Sequence, residues 1–164
     1  MRAIKELGLV RIDDRLIHGQ VIAVWCKHRK FTRIVIVDDG VAADSFMVEV
    51  LGLAAPPDLR VDAFSVEDGV RALNEDTSNW DTTMVLMKTP LAAKQLYDGG
   101  LEYSALNVGG IGSGPGRRNI FKNIAASEEE IATLKYLMGK GVEITLFTVP
   151  GEKSKSFSAL VSKL

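Results

Sequence analysis

The chain has 164 residues, of which 46% are hydrophobic and 25% charged, and its net charge is −1. That length and balance suit one globular domain with a sizeable core, and they exclude a global field that would draw the protein to nucleic acid or anionic lipid. The single cysteine, Cys26, excludes an intramolecular disulfide and a cysteine-rich metal site, and it fits a reducing cytosol. The opening stretch MRAIKELGLVRIDD has no long apolar run, so no signal peptide is expected. No stretch approaches the ~20 apolar residues of a membrane span. A membrane role is therefore expected to come through a partner.

In chain order, residues 8–12 read as a short strand ending at Asp13-Asp14. From Gly19 the pattern becomes helical, with Val21, Ile22, Val24 and Trp25 at helical spacing and a polar tail over 27–30. RIVIVDDG (33–40) is a branched run stopped by turn residues, the signature of a strand buried on both faces. Phe46, Val50, Leu51 and Leu53 predict a second helix, stopped at Pro56-Pro57. A weaker strand follows over 60–64, then a helix carrying Val66, Val70 and Leu73. TTMVLMK (82–88) is a fourth strand, and Pro90 opens a helix with Leu91 and Leu96. Residues 104–108 form a fifth strand, and a glycine-rich loop runs over 109–118. Ser127 with Glu130 three residues on is a capping box; Ile131, Leu134 and Leu137 make that helix's inner face, and Gly139 or Gly141 ends it. VEITLF (142–147) is the sixth strand, and Phe157, Leu160 and Val161 lie on a last amphipathic helix.

Strands alternating with helices predict an α/β fold: a single-domain open twisted, mostly parallel sheet with helices on both faces, spanning 1–164. Sites in such sheets gather at the carboxyl ends of strands, near a topological switch point. The loop over 13–20 leaves such an end, as do Asp38-Asp39-Gly40, Lys88-Thr89-Pro90 and the loop over 109–118.

The densest chemistry lies in VRIDDRLIHGQV (10–21). His18 sits where a strand gives way to a helix. A helix N-terminus offers free N–H groups and partial positive charge, which suits an anion and the neutral, nucleophilic imidazole. A neutral imidazole can attack phosphorus and carry a phosphoryl group covalently. The carried group needs cations and N–H donors. Arg15 supplies a guanidinium fork three residues before His18, and Gly19 lets backbone N–H groups approach. Asp13 or Asp14 could hold a ring nitrogen and fix the tautomer, or could serve plain turn chemistry. Arg11 and Gln20 are further candidate contacts to phosphate or partner.

Other candidates are thinner. His28, in KHRK (27–30), reads as a solvated helix end, and no second histidine has metal-ligand spacing. NVGGIGSGPGRRN (107–119) has glycines and two arginines but matches neither the P-loop pattern nor the dinucleotide fingerprint. It reads as a mobile loop, a flank of a phosphate site, or a docking surface on which Arg117 and Arg118 meet a phosphorylated partner. Lys88, at a strand's carboxyl end, is a last candidate.

RIDDRLIHGQV (11–21) closely resembles the active-site loop of the mannose/fructose/sorbose-family EIIB components of the bacterial sugar phosphotransferase system. The resemblance continues in order through RIVIVDDGVAAD (33–44), APP (55–57), GG (99–100), NVGG (107–110) and KGVEI (140–144), and so covers nearly the whole chain. It implies an open twisted α/β sheet and a cytosolic phosphocarrier needing no metal or nucleotide cofactor. A phosphohistidine of EIIA would phosphorylate His18, and the group would pass to a sugar entering through membrane EIIC and EIID, with which the protein associates at the inner face of the membrane. The resemblance assigns Arg15 to steadying the phosphoryl group and Asp13 to ordering the loop or orienting the ring. Family members can be dimeric. IGSGPGRR (111–118) is richer in glycine and proline than the family pattern, and MKTP (87–90) places a lysine where members vary. Both departures bear on partner and sugar choice.

Two other classes fit the residues. A binding or regulatory module on the same fold predicts that His18 is never phosphorylated. A phosphatase working through phosphohistidine needs a general acid and an activated water, and predicts release of inorganic phosphate.

Overall fold

The computed structural model describes residues 6–164; the first five, part of the stretch read above for a signal peptide, lie outside it. The first strand, β1 (Leu9–Asp13), leads through a tight loop into α1 (Gly19–His28). Then follow β2 (Arg33–Val37), the one-turn α2 (Asp39–Ala42), α3 (Ser45–Ala54), β3 (Arg60–Phe64), α4 (Val66–Glu75), β4 (Thr83–Met87) and α5 (Pro90–Asp98). The last part holds β5 (Ala105–Gly110), β6 (Arg117–Phe121), β7 (Ile124–Ser127), α6 (Glu128–Gly139), β8 (Glu143–Leu146), β9 (Lys155–Ser156) and α7 (Phe157–Val161).

The sheet runs β3-β2-β4-β1-β5-β8-β9, parallel throughout except for the short β9 at one edge. Alternation along β1 decides what lies above and below it. Val10 and Ile12 enter one apolar layer with Leu96, Leu134 and Phe157 from the later helices. The opposite layer gathers Ile22 and Trp25 of α1 with Ile34, Ile36 and Leu51. Arg11 and Asp13 point to this second side, so a charged pair enters a face that elsewhere takes apolar side chains. The chain leaves β1 toward α1 on one face and leaves β4 and β5 toward helices on the other. The β1 loop therefore stands at the switch point, where such sheets bind ligands.

One expectation needs correction, and two further findings concern which helix residues are buried. The glycine-rich segment is followed by an antiparallel hairpin of β6 and β7 that pattern reading misses. Its two-residue turn places Lys122 at φ 46, a left-handed position usually marked by Gly or Asn. The strand RRNIF has no buried residue and groups its three polar residues before its two apolar ones, so no strand alternation shows. Second, the apolar residues of α3 are not its buried face: Phe46 is 71% and Leu53 82% exposed, and only Leu51 is buried. Third, Val24 and Leu91 are exposed too, so α1 rests on Val21, Ile22 and Trp25, and α5 on Ala93 and Leu96.

The capping box forms as expected, with Glu130 N–H donating to Ser127 Oγ at 3.1 Å and Ser127 N–H to Glu130 Oε1 at 3.0 Å. Glu130 also receives two bonds from Arg117, at 2.9 and 3.1 Å. Burial pushes the Glu130 carboxyl up, but these bonds and the Ser127 amide outweigh it and hold it below its ordinary value. Its stabilising effect is then complete above the unfolded carboxylate pKa and is lost as pH falls through the lower folded value. Glu130→Ala is expected to cost about 1–2 kcal/mol near neutral pH by urea unfolding. The deficit should shrink in acid, below about pH 4.

Candidate functional site

Asp13 ends β1 and begins a β-turn that Leu16 closes, its N–H donating to Asp13 O at 2.9 Å. Leu16 is left-handed at φ 56, an uncommon conformation for a leucine, and both Leu16 and Ile17 are buried in the second apolar layer. The loop is thus nailed down by two apolar side chains, and its polar residues stay at the surface. His18 is the N-cap residue of α1, with extended backbone and no side-chain capping bond. Its ring is partly exposed, and Nδ1 is shielded from solvent without a hydrogen-bond partner. No carboxylate among the described residues bonds the ring.

The reason lies in how Asp13 is occupied. Its Oδ1 accepts the Arg15 backbone N–H at 3.0 Å and Nε–H at 3.1 Å; its Oδ2 accepts Arg15 Nη2 at 3.1 Å and Arg11 Nη2 at 2.9 Å. A carboxylate offers about four lone-pair sites, and all are taken. Asp13 has no described bond to the imidazole; its four bonds go to Arg11 and to the side chain and amide of Arg15, within the loop. Burial pushes the Asp13 carboxyl up, but the Arg15 hydrogen bonds and the charges of both arginines prevail, and its pKa lies below the ordinary value. Arg15 uses only its Nε edge, leaving three of its five N–H donors free. Its side chain is 41% exposed, three residues before His18 in the chain.

Arg11 is not a surface contact to phosphate or partner. It is fully buried. Nη1 donates to Asn107 Oδ1 at 2.6 Å and to Thr148 O at 2.8 Å, and the guanidinium carbon lies 5.7 Å from the centre of the Trp25 ring. Trp25 Nε1 donates to the same Thr148 carbonyl at 3.1 Å. Burial lowers the Arg11 pKa, and Asp13 opposes that shift.

Two glycines make the room. At the β1–β5 seam Arg11 faces Asn107, but Asp13 faces Gly110, so Gly109 is an extra residue in a bulge. A Cβ on Gly109 would lie 2.0 Å from the Arg11 guanidinium carbon, and one on Gly110 would lie 3.2 Å from Asp13 Oδ1. Gly109→Ala is expected to displace Arg11 and cost about 1–3 kcal/mol, as overpacking does, read as a lower thermal midpoint.

The other candidates divide clearly. Asp14 Oδ2 accepts the Gly112 N–H at 2.8 Å, tying the glycine-rich loop to the site loop instead of meeting phosphate. Arg117 is bound to Glu130 and, through Nη1, to Gly112 O at 3.1 Å, so it struts that loop and is not a free docking cation. Arg118 pairs with Glu128 at 2.9 Å. Gly19 lets α3 approach, since its Cβ would stand 3.2 Å from Ala54 O. Gln20 is exposed in the first turn of α1. Lys88 follows β4, the neighbour of β1, and pairs with no described residue. His28 is exposed at the far end of α1. Thr148 carries no signal in the sequence; Asn107, Gly109 and Gly110 lie in the motif over 107–119 read as a candidate flank of a phosphate site, but nothing in that motif says that it houses an arginine.

The loop carries an imidazole with no described hydrogen-bond partner and, three residues earlier, a clamped, half-exposed guanidinium; the Asp13 carboxylate that clamps it is shared with the buried Arg11, so the three charges sum to a net positive one. Such a site suits a group that gains negative charge on the histidine.

Residues 7–164 match the family model of the PTS system sorbose subfamily IIB component. The chain is 32% identical over 158 residues to the PTS system mannose-specific EIIAB component of Escherichia coli (strain K12), a match covering 96% of this chain and 49% of the relative. It thus spans about half the length of that relative. It is 32% identical to the PTS system fructose-specific EIIB component of Bacillus subtilis (strain 168), with 93% of each chain covered. The crystal structure of manxB from Thermoanaerobacter tengcongensis superposes with a TM-score of 0.88, at 36% identity and 96% coverage of both chains.

Proposed function

The chain belongs to the sorbose subfamily of PTS IIB components, and from that footing we propose that it is the phosphocarrier of a sugar phosphotransferase system, with His18 as the phosphorylated residue. The observation that carries this reading is the site loop: a His18 ring with no described hydrogen-bond partner at a helix start, in the same loop as an Arg15 held side-on by a saturated Asp13.

In the first step a His18 ring nitrogen attacks the phosphorus of a phosphohistidine on an EIIA protein. The new N–P bond forms as the donor's N–P bond breaks, and the donor histidine leaves as imidazole. In the second step a sugar hydroxyl, presented by membrane EIIC and EIID at the cytoplasmic face, attacks the phosphorus; the O–P bond forms as the His18 N–P bond breaks, the hydroxyl proton is given up to solvent, and His18 leaves as neutral imidazole. The transition states are loose, so the protein's work is positioning and charge neutralisation. Arg15 offers its free N–H groups to the phosphoryl oxygens. It serves best by favouring the transition state over phospho-His18, because an over-stabilised intermediate discharges slowly. No cofactor enters either step. One EIIB unit over 1–164 carries this role as a protein-phosphohistidine–sugar phosphotransferase.

Among the described residues no helix is long and apolar enough to cross a membrane, which supports action through membrane partners. The test is the lifetime of the phosphorylated protein. After charging by phosphoenolpyruvate, the general phosphotransferase proteins and an EIIA, then removal of donor, it should keep its phosphoryl group until EIIC, EIID and sugar are added. Prompt release of inorganic phosphate instead would make it a phosphatase, and failure to charge with an active EIIA would make it a binding module.

A further inference from the structure

Arg11 is a costly residue to place where it is. A fully buried guanidinium loses its hydration, and its Nε finds no partner. The fold accommodates it at every side: a bulge with a glycine at the point of contact, the Asn107 side chain, the Thr148 carbonyl and the Trp25 ring. An apolar side chain would pack the same layer without these fittings. Among the described residues its ion pair is with Asp13 Oδ2, the oxygen that also receives Arg15 Nη2.

We infer that Arg11 is a positioning residue for phosphoryl transfer: anchored by Asn107 and Thr148, it fixes the Asp13 carboxylate in the one orientation that grips Arg15 by its Nε edge and leaves the other N–H groups turned to His18's phosphoryl group. Without it, Asp13 can rotate about its side-chain bonds, and the Arg15 fork follows. Arg11 also offsets the Asp13 charge, so Arg15 keeps its attraction for the dianionic group although it is already paired. Gly109 and Asn107 belong to the same device, the first by leaving space and the second by anchoring Nη1.

This inference rests on the phosphocarrier reading, and a double-mutant cycle tests the two separately. The rate at saturating donor and the KM for a phosphorylated EIIA protein are measured for wild type, Arg11→Met, Arg15→Ala and the double variant, with thermal midpoints alongside. Arg11→Met should slow the saturating rate roughly 10- to 100-fold, the effect of a misplaced donor, with little change in KM. In the Arg15→Ala background the same change should slow transfer by less than about threefold, because the group being positioned is gone. Equal slowing in both backgrounds would overturn the inference and leave Arg11 a fold residue. Should Arg11→Met not fold, Asn107→Ala keeps the charge pair and removes the anchor, along with the Asn107 amide's bond to Phe147 O at 3.1 Å. It should slow transfer roughly 3- to 10-fold, and only when Arg15 is present; wild-type rates there would equally overturn the inference. If wild type accepts no phosphoryl group on His18, the carrier reading itself fails. If it does and the cycle is additive, only the role of Arg11 fails.

Discussion

His18→Ala is expected to remove phosphoryl acceptance completely while leaving the fold intact. The His18 side chain caps nothing, bonds no described residue and is partly exposed, so its loss removes no structural contact of consequence. The N-cap preference is carried by Ser, Thr, Asp and Asn, not histidine. The variant should therefore unfold within about 0.5 kcal/mol of wild type. It should also still occupy an EIIA partner, so that added to wild type in excess it competes for donor. Residual charging of the variant would place the nucleophile elsewhere. His28 is no substitute, being at the opposite end of α1.

Asp13→Ala has the second largest effect, on stability first. The substitution leaves the fully buried Arg11 without the carboxylate it is paired to, and breaking a buried pair in this way costs about 3–5 kcal/mol. That is a large share of the ~5–15 kcal/mol that holds a domain folded. Asp13→Asn keeps the shape but not the charge, and should fold with a lower urea midpoint and a transfer rate near that of Arg15→Ala. Its pH dependence gives an independent check. Because the Asp13 pKa is lowered in the folded state, its stabilisation is complete above the unfolded value of about 3.9 and is lost as pH falls through the folded value. Wild type should lose stability below about pH 4 more steeply than Asp13→Asn. Parallel acid limbs would mean that the carboxylate contributes no folding energy.

The sequence carries some of this plainly and some not at all. The parallel strands are legible because β2 and β4 are buried on both faces and so appear as unbroken branched runs. The capping box of α6 is legible because its chemistry is local. The β6–β7 hairpin is not, since its turn uses Lys122 where glycine would have signalled it. Nor is the exposure of α3: an apolar helix has the same spacing whichever way its face turns, and only the tertiary arrangement shows Phe46 and Leu53 outside. In the site loop, residue types identify His18 and Arg15 as candidates. They do not separate Arg11 from Arg15, two arginines four apart in one motif. What separates them is burial, set by strand alternation and by a bulge at Gly109 that no local pattern announces. Asp13 was readable as a partner to something; that its oxygens are exhausted by the two arginines follows only from distances.

The most direct test of the account is to map the phosphoryl group on the charged wild-type protein by peptide-level mass spectrometry at neutral to alkaline pH, where phosphohistidine survives. The account predicts a single acid-labile group on the peptide containing His18, with fragment ions placing it on that residue. A hydroxylamine-sensitive acyl phosphate on Asp13 or Asp14, or an acid-stable ester on a serine or threonine, would contradict it.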